Sequence, residues 1–518
     1  MPTVRSSTDP LVRGGGFAEA ARAVADVRPL LAFRLAGLRG RSRRVAPVAL
    51  GVIALITLLS AVVPAFVTYD LSRQDVLILL PSAYVGVLVI SIVSAATSGG
   101  GRELLPREQA IAFPVSPTTD HLGALLMAPL NIAWLLQCWA VLGATSYAVG
   151  PQWTLLPALV PVLLWLVTAS TTAQMLAWCV EWVRRGPYGA IIVRAGAVAV
   201  VAVIGTLIAT SKVTTVLDNS PTVKIAVGVA SGMRRQWGPW FQVVAALALL
   251  SFAALCAGAW LAGRVARRAA RDELRVEASA RTSQHNPRSD FAAMLRTDRA
   301  GIWRSVPMRR GLTVLALFPG LVAVGGSFHW DMLGIFPGLV ASGGALLFGV
   351  NAWCLDGRGA LWRDSLPVSP RLAFASRAVV LLEILLAACT VTLLLASVRV
   401  GVPTLSELLA VVCAAVVVTT QVVATSLRWS VRRPYAVDLR SSRATPAPPL
   451  VMVGYSSRLA LTTTFTGLLF NLTTQLSWYV PLLFALPFLA WSGVKLLLTA
   501  RAWSDPPTRS RVIATVAS

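Results

Sequence analysis

The residue types that carry most enzymatic chemistry are thinly spread along this sequence. Its three histidines, His121, His285 and His329, are scattered. The six cysteines (138, 179, 256, 354, 389 and 413) lie in or beside apolar runs without CxxC spacing, which suits small buried hydrophobes better than metal ligands. No GxxxxGK[ST] stretch occurs, and no Gly-Lys dipeptide, so the phosphate cradle of a P-loop ATPase is absent. Neither HExxH nor GxSxG is present. These absences give no support to a catalytic site and lead to the expectation that the chain is not an enzyme by itself. It is expected to bind no cofactor or metal.

The chemistry that remains is charged, short-range and repeated. Arg107 and Glu108 precede FPVSP at Phe113–Pro117, and Arg363 and Asp364 precede LPVSP at Leu366–Pro370. A second match follows each: VRRGPY, with Arg184, Arg185 and Tyr188, and VRRPY, with Arg432, Arg433 and Tyr435. The intervals agree, at 67 residues from Pro117 to Arg184 and 62 from Pro370 to Arg432. Two matches in order at this spacing predict a tandem repeat of about 250 residues. In each copy the proline pair (Pro114 and Pro117, Pro367 and Pro370) is expected to stop a short helix and set the direction of the next. An ordinary turn is the plainer reading of such a loop.

The elements that hold these loops are apolar. Of 518 residues 56% are hydrophobic and only 13% charged, against about 25% charge in soluble chains. The mean hydropathy is +0.70. Uncharged windows repeatedly exceed the roughly 20 helical residues that cross a bilayer. Twelve spans are expected, near 45–69, 76–98, 122–148, 153–179, 190–210, 239–263, 312–328, 333–355, 372–398, 405–427, 452–471 and 478–498. The fold class is therefore an all-α polytopic membrane protein of two parallel six-helix repeats. The expected divisions are an amphipathic amino-terminal segment (1–44), a first repeat (45–263), a basic linker with a second interfacial helix (264–311), a second repeat (312–499) and a tail (500–518). The polar, Arg-rich first 44 residues and the length of the first apolar run favour an anchor over a cleavable signal.

With the amino terminus in the cytoplasm, 40 of the 46 Lys and Arg residues fall on the inner side. Both termini are then cytoplasmic. The formal charge of +24 is spread over seven inner segments, which fits orientation and anionic lipid better than nucleic acid. Polar residues within spans are sparse. Asn131, Gln137, Glu383 and Asn471 are candidates for a substrate pathway, and equally for hydrogen bonds between helices.

The stretches 102–136 (RELLPREQAIAFPVSPTTDHLGALLMAPLNIAWLL) and 362–383 (WRDSLPVSPRLAFASRAVVLLE) resemble the loop before the third span in membrane subunits of type-2 ABC exporters (ABC-2 permeases, the type V exporter fold), in the fused tandem form found in actinobacteria. The resemblance implies a multi-pass permease in a bacterial cell membrane. It implies a separate ABC ATPase, two copies per chain, that would carry ATP and Mg and touch the loops holding Arg107, Glu108, Arg363 and Asp364. Amphipathic helices before each half, at 17–44 and 294–310, and a re-entrant segment at 211–238 are implied as well. The substrate would be a hydrophobic or amphipathic drug, antibiotic, peptide or lipid. Two alternatives are a twelve-helix carrier of the major facilitator type, whose loop signature GGGRELLPREQ at 99–109 does not match, and a membrane scaffold.

Overall fold

The computed structural model describes residues 21–27, 29–30, 41–68, 72–97, 115–130, 132–210, 212–268, 287–325, 329–347, 351–357, 359–435 and 449–517. Among them all regular structure is helical, with no strand. Among the described residues six helices are long and apolar enough to cross a membrane, at 73–95, 155–184, 237–266, 370–398, 405–432 and 480–504, and the bent pair 290–303 and 308–324 would make a seventh if it is one span. The chain is an all-α membrane protein. Twelve spans were the sequence expectation; beyond these six, the apolar helices at 50–66, 134–149 and 191–207 are shorter.

The chain divides into two compact units, Met1–Arg271 and Asp272–Ser518. The first is built from α1 (Arg41–Phe66), α2 (Arg73–Thr97), α3 (Pro117–Leu126), α4 (Ile132–Val149), α5 (Leu155–Arg184), α6 (Gly189–Ala209), α7 (Val213–Asp218), α8 (Val223–Met233) and α9 (Trp237–Ala266). Helix α5 is its centre and packs on α2, α8 and α9. Lipid tails are as apolar as leucine, so close contact and hydrogen bonds must hold such helices together. Small residues such as Ala158 and Ala169 are fully buried in this core. Trp165 Nε1 donates to the Tyr84 carbonyl at 3.1 Å, Thr168 and Ser251 share a bond of 2.8 Å, and Trp139 Nε1 donates to Thr57 at 2.9 Å.

The second unit comprises α10 (Asp290–Arg304), α11 (Val306–Gly325), α12 (Ile335–Leu347), α13 (Gly359–Asp364), α14 (Pro370–Val400), α15 (Leu405–Arg432), α16 (Pro449–Thr473), α17 (Val480–Ser504) and α18 (Pro506–Ala517). Helix α14 packs on α11, and α15 on α16 and α17. Buried hydroxyls again join them: Ser342 to Thr463 at 2.7 Å, Ser426 to Tyr455 at 2.6 Å, and Thr392 to the Ala316 carbonyl at 2.8 Å. Large side chains left exposed, including Leu249 and Phe252 on α9 and Leu483 and Leu486 on α17, face outward where a bilayer would solvate them.

Several boundaries differ from the sequence reading. The span expected at 122–148 is broken: α3 ends at Leu126, a 3₁₀ turn covers Ala128–Leu130, and α4 begins at Ile132. Pro129, in that turn, cannot donate to a helical ladder. Of the span expected at 333–355, Ile335–Leu347 is helix and residues 351–357 form turns, while 348–350 lie outside the described residues. The interfacial helix expected over 294–310 instead stops at Arg304; after Ser305 the chain bends by 81° into α11. Residues 213–233 fold as two helices, the second partly buried against α2, α5 and α9. Most of the 17–44 segment and residues 269–286 of the linker lie outside the described residues.

Candidate functional site

The Ser-Pro pairs of the two PVSP motifs build the same local structure. Ser116 and Ser369 are extended N-cap residues, and their hydroxyls accept from Thr119 N at 3.1 Å and Leu372 N at 3.3 Å. Pro117 and Pro370 each occupy the first helical position, where no backbone donor is needed and the ring pre-sets φ. Ser-Pro is thus a helix-start signal, which accounts for its recurrence at the head of α3 and α14. Pro367 lies in the turn between α13 and α14. Pro114, Arg107, Glu108 and Asn131 lie outside the described residues.

In the second unit the start of α14 sits on a buried ionic cluster. Arg377 is 1% exposed, and Nη2 donates to Asp356 Oδ1 at 2.5 Å and pairs with Asp298 Oδ1 at 2.9 Å. Nη1 donates to the Ala352 carbonyl at 3.0 Å. Arg363 closes the other side of Asp298 with two hydrogen bonds and reaches Asp356 at 3.1 Å. Ser376 Oγ donates to Asp298 Oδ2 at 2.5 Å. Two cations and two carboxylates therefore balance in charge, and nearly every donor has an acceptor, which a buried ionic group requires. Burial on its own would raise the Asp298 carboxyl, but the Arg377 and Arg363 charges and the hydrogen bonds from Arg363 and Ser376 outweigh it and hold it below the usual carboxylate range.

Aromatic rings complete the floor. The Arg377 guanidinium lies 5.4 Å from the Trp353 ring, which stacks on Trp503 of α17 at 3.9 Å and 3°. A cavity of about 130 Å³ opens beside them, lined by Met294, Val368, Val512 and Ile513 with Arg363 and Arg509. Helix α18 forms its wall: Val512, Ile513 and Val516 are buried, Arg509 Nε donates to Asp364 at 3.0 Å, and Arg511 donates to the Val431 carbonyl at 3.1 Å. On the outer side of α13, Leu361 and Trp362 are 60% and 62% exposed.

The first unit reaches a similar end by different contacts. His121 on α3 is buried and accepts from Trp178 Nε1 at 3.0 Å through Nδ1. Gly258 of α9 faces the ring, and a Cβ there would meet His121 Cε1 at 2.5 Å. Burial holds the imidazole down to about 4, against smaller opposing contributions from the Leu255 backbone and Asp120. Glu181, buried at the end of α5, pairs with Arg184 and Arg185 at 2.9 Å each. Arg185 also donates to the Val265 carbonyl at 2.9 Å, so VRRGPY ties α5 to α9.

The remaining sequence candidates are dispersed. Tyr188 is exposed. Arg432 ends α15, Arg433 stacks 4.9 Å over Trp429, and the Tyr435 carbonyl accepts from Asn351 at 2.6 Å. Glu383, on α14, is bound in a two-pronged pair by Arg299 of α10 at 2.9 and 2.8 Å. Gln137 is half-buried on α4, and Asn471 of α16 lies against Gly334. Arg363, expected as an exposed charge, is turned inward; Asp364 is occupied by Arg509. Asp298, Asp356, Arg377, Trp353 and Trp503 were not singled out from sequence. The available signal was Arg377, a cation within the first two turns of an apolar helix.

Among the described residues no group of three His, Cys, Asp or Glu is placed to hold a metal. No family model matches the chain, and no curated protein or solved structure matches it.

Proposed function

We propose that the chain is the membrane subunit of an ABC exporter of the ABC-2 type, with two six-helix halves in one polypeptide and two copies of a separate ATPase docking beneath them. The observation that carries this reading is the repeated Ser-cap and Pro start of a helix, once in each unit, where the PVSP motif recurs in the sequence. In the second unit it directly follows a short helix that turns Leu361 and Trp362 outward. These side chains, rather than Arg363, would form the contact with an ATPase groove. The ionic cluster behind them would pass the push to α14 and α10.

In this reading both termini and the linker face the cytoplasm of a bacterial cell. Closure of the ATPases on ATP and Mg rocks the halves and moves a hydrophobic or amphipathic substrate outward. The sparse polar content of the helices suits such a substrate better than an ion or sugar. Asn131, Gln137, Glu383 and Asn471 remain its pathway candidates.

The test is reconstitution in nanodiscs with and without the ATPase. The chain alone should hydrolyse no ATP above an empty-nanodisc control, and coupled transport should appear on adding the partner. Pro114→Ala/Pro117→Ala and Pro367→Ala/Pro370→Ala should each lower transport more than ATPase binding, and Leu361→Ser/Trp362→Ser should lower ATPase binding itself. Full coupled transport in all three variants would refute the coupling role. ATP-independent transport driven by a proton gradient would favour a secondary carrier.

A further inference from the structure

Three cations on three neighbouring helices gather in the second unit without a described counter-ion. Arg428 lies one turn from the end of α15, Arg458 nine residues into α16, and Lys495 nine residues before the end of α17. At 1.5 Å per residue the last two sit about 13 Å in from helix ends on the same side of the unit. Helix α15 packs against both α16 and α17. The Ser426–Tyr455 bond pins α15 to α16 two residues before Arg428 and three before Arg458. The Lys495 ammonium is within electrostatic reach of both guanidinium groups and lies 5.4 Å from the Trp491 ring.

Every described carboxylate of this unit is placed elsewhere. Asp298 and Asp356 belong to the ionic cluster, Asp364 binds Arg509, and Glu383 binds Arg299. Glu407 and Asp505 cap helix starts, Asp290 opens α10, and Asp331 lies beyond the far end of α11. Cations at this depth are costly without an anion or access to the interface. The rim is apolar: Leu461 and Phe465 on α16 and Val494, Leu497 and Leu498 on α17 are exposed. A dissolved anion has no reason to seek such a rim, whereas a phospholipid would lay its chains along it.

We propose that Arg428, Arg458 and Lys495 form a binding site for the phosphate of an anionic phospholipid in the leaflet where α15 and α17 end. The head group joins the three charges, the Trp491 ring sits at the level of the glycerol, and the acyl chains cover the exposed residues of α16 and α17. This site stands apart from the proposed exporter function and does not depend on it.

The full chain in detergent, titrated with dioleoyl-phosphatidylglycerol or dioleoyl-phosphatidylcholine and read by native mass spectrometry, tests the site. The wild type should retain phosphatidylglycerol at least about tenfold more tightly than phosphatidylcholine. Arg428→Gln/Arg458→Gln/Lys495→Gln should remove that preference, Arg428→Lys/Arg458→Lys/Lys495→Arg should keep most of it, and Arg264→Gln in the first unit should leave it unchanged. If the triple glutamine variant does not fold, Arg458→Gln, at an exposed position, should still weaken phosphatidylglycerol measurably. Equal retention of the two lipids by the wild type, or undiminished preference in the glutamine variants, would overturn the proposal. Displacement of the lipid by millimolar inorganic phosphate would assign the site to a soluble anion and overturn the lipid assignment.

Discussion

Arg377 and Asp298 lie 2.9 Å apart, each side chain 1% exposed, and so fasten the first turns of α14 to α10. Neither charge has access to solvent, so each depends on the other. Removing one partner of a buried pair strands the other, at a cost of roughly 3–5 kcal/mol. We predict that Asp298→Ala or Arg377→Ala lowers the Tm of the purified protein steeply and reduces its level in membranes. Asp364→Ala, which breaks only the partly exposed pair with Arg509, should cost about 0.2–1 kcal/mol. Similar losses from both would show that the cluster is not a buried keystone.

Acid should act on the two units through different groups. The Asp298 carboxyl is held below its unfolded value, so its contribution is present above the ordinary carboxylate range and is lost as pH falls through the depressed native value. His121 is a base held neutral: its unfolded form protonates near pH 6.5 and its buried form only near 4. Stability is therefore lost as pH falls from about 6.5 to about 4 and levels off below, by on the order of 3 kcal/mol. Thermal unfolding from pH 8 to pH 4 should show this slope in the wild type and a flatter one in His121→Gln. An identical slope in the variant would remove His121 as the cause.

Gly258 tests how closely α9 must approach α3. A mid-helix Gly costs about 0.5–1 kcal/mol relative to Ala, so Gly258→Ala ought to stabilise if space allowed. It does not, because the new Cβ would meet the His121 ring at 2.5 Å. Gly263, five residues on, has nothing within 4 Å. Gly258→Ala should therefore destabilise while Gly263→Ala is neutral or stabilising, and pairing Gly258→Ala with His121→Ala should recover part of the loss. Equal melting of the two single variants would contradict the packing described.

How much of this was legible beforehand depends on the range of the interactions. The Ser369-Pro370 helix start is local, since a cap and a fixed φ need only neighbouring residues, and the motif announced it. The apolar runs of α5, α9 and α15 were equally plain. The break at Met127–Leu130 was not, because uncharged sequence looks the same in a helix and in a buried turn. Asp298 lies 79 residues before Arg377. Nothing local says that Asp298 meets Arg363 and Arg377, which depends on how the bend at Ser305 sets α10 against α14. Glu383 looks like an intramembrane acid in the sequence for the same reason: its partner Arg299 lies on α10, 84 residues earlier.

Helix α18 is expected to hold α13 in place. Truncation after Asp505 removes Val512, Ile513 and Val516 from the cavity wall and frees Asp364. Water then reaches the Trp353–Trp503 stack. The truncated protein should melt at a lower temperature, and its tryptophan emission should shift to the red relative to the full chain. An unchanged spectrum and Tm would mean that α18 packs without supporting α13.

The division at Arg271 carries a consequence for how the protein is made. The buried hydrogen bonds and ion pairs described in the first unit are made within and between its own helices, so they can form before the second leaves the ribosome. At about 5–20 residues per second, synthesis of the second unit occupies on the order of 10 to 50 s. That is ample time for the apolar helices of the first unit to insert and pack. A defect such as the loss of Asp298 then leaves a finished amino-terminal half joined to an unfinished one. Quality control should recognise such chains by their second half alone, and degradation fragments should begin at the basic linker.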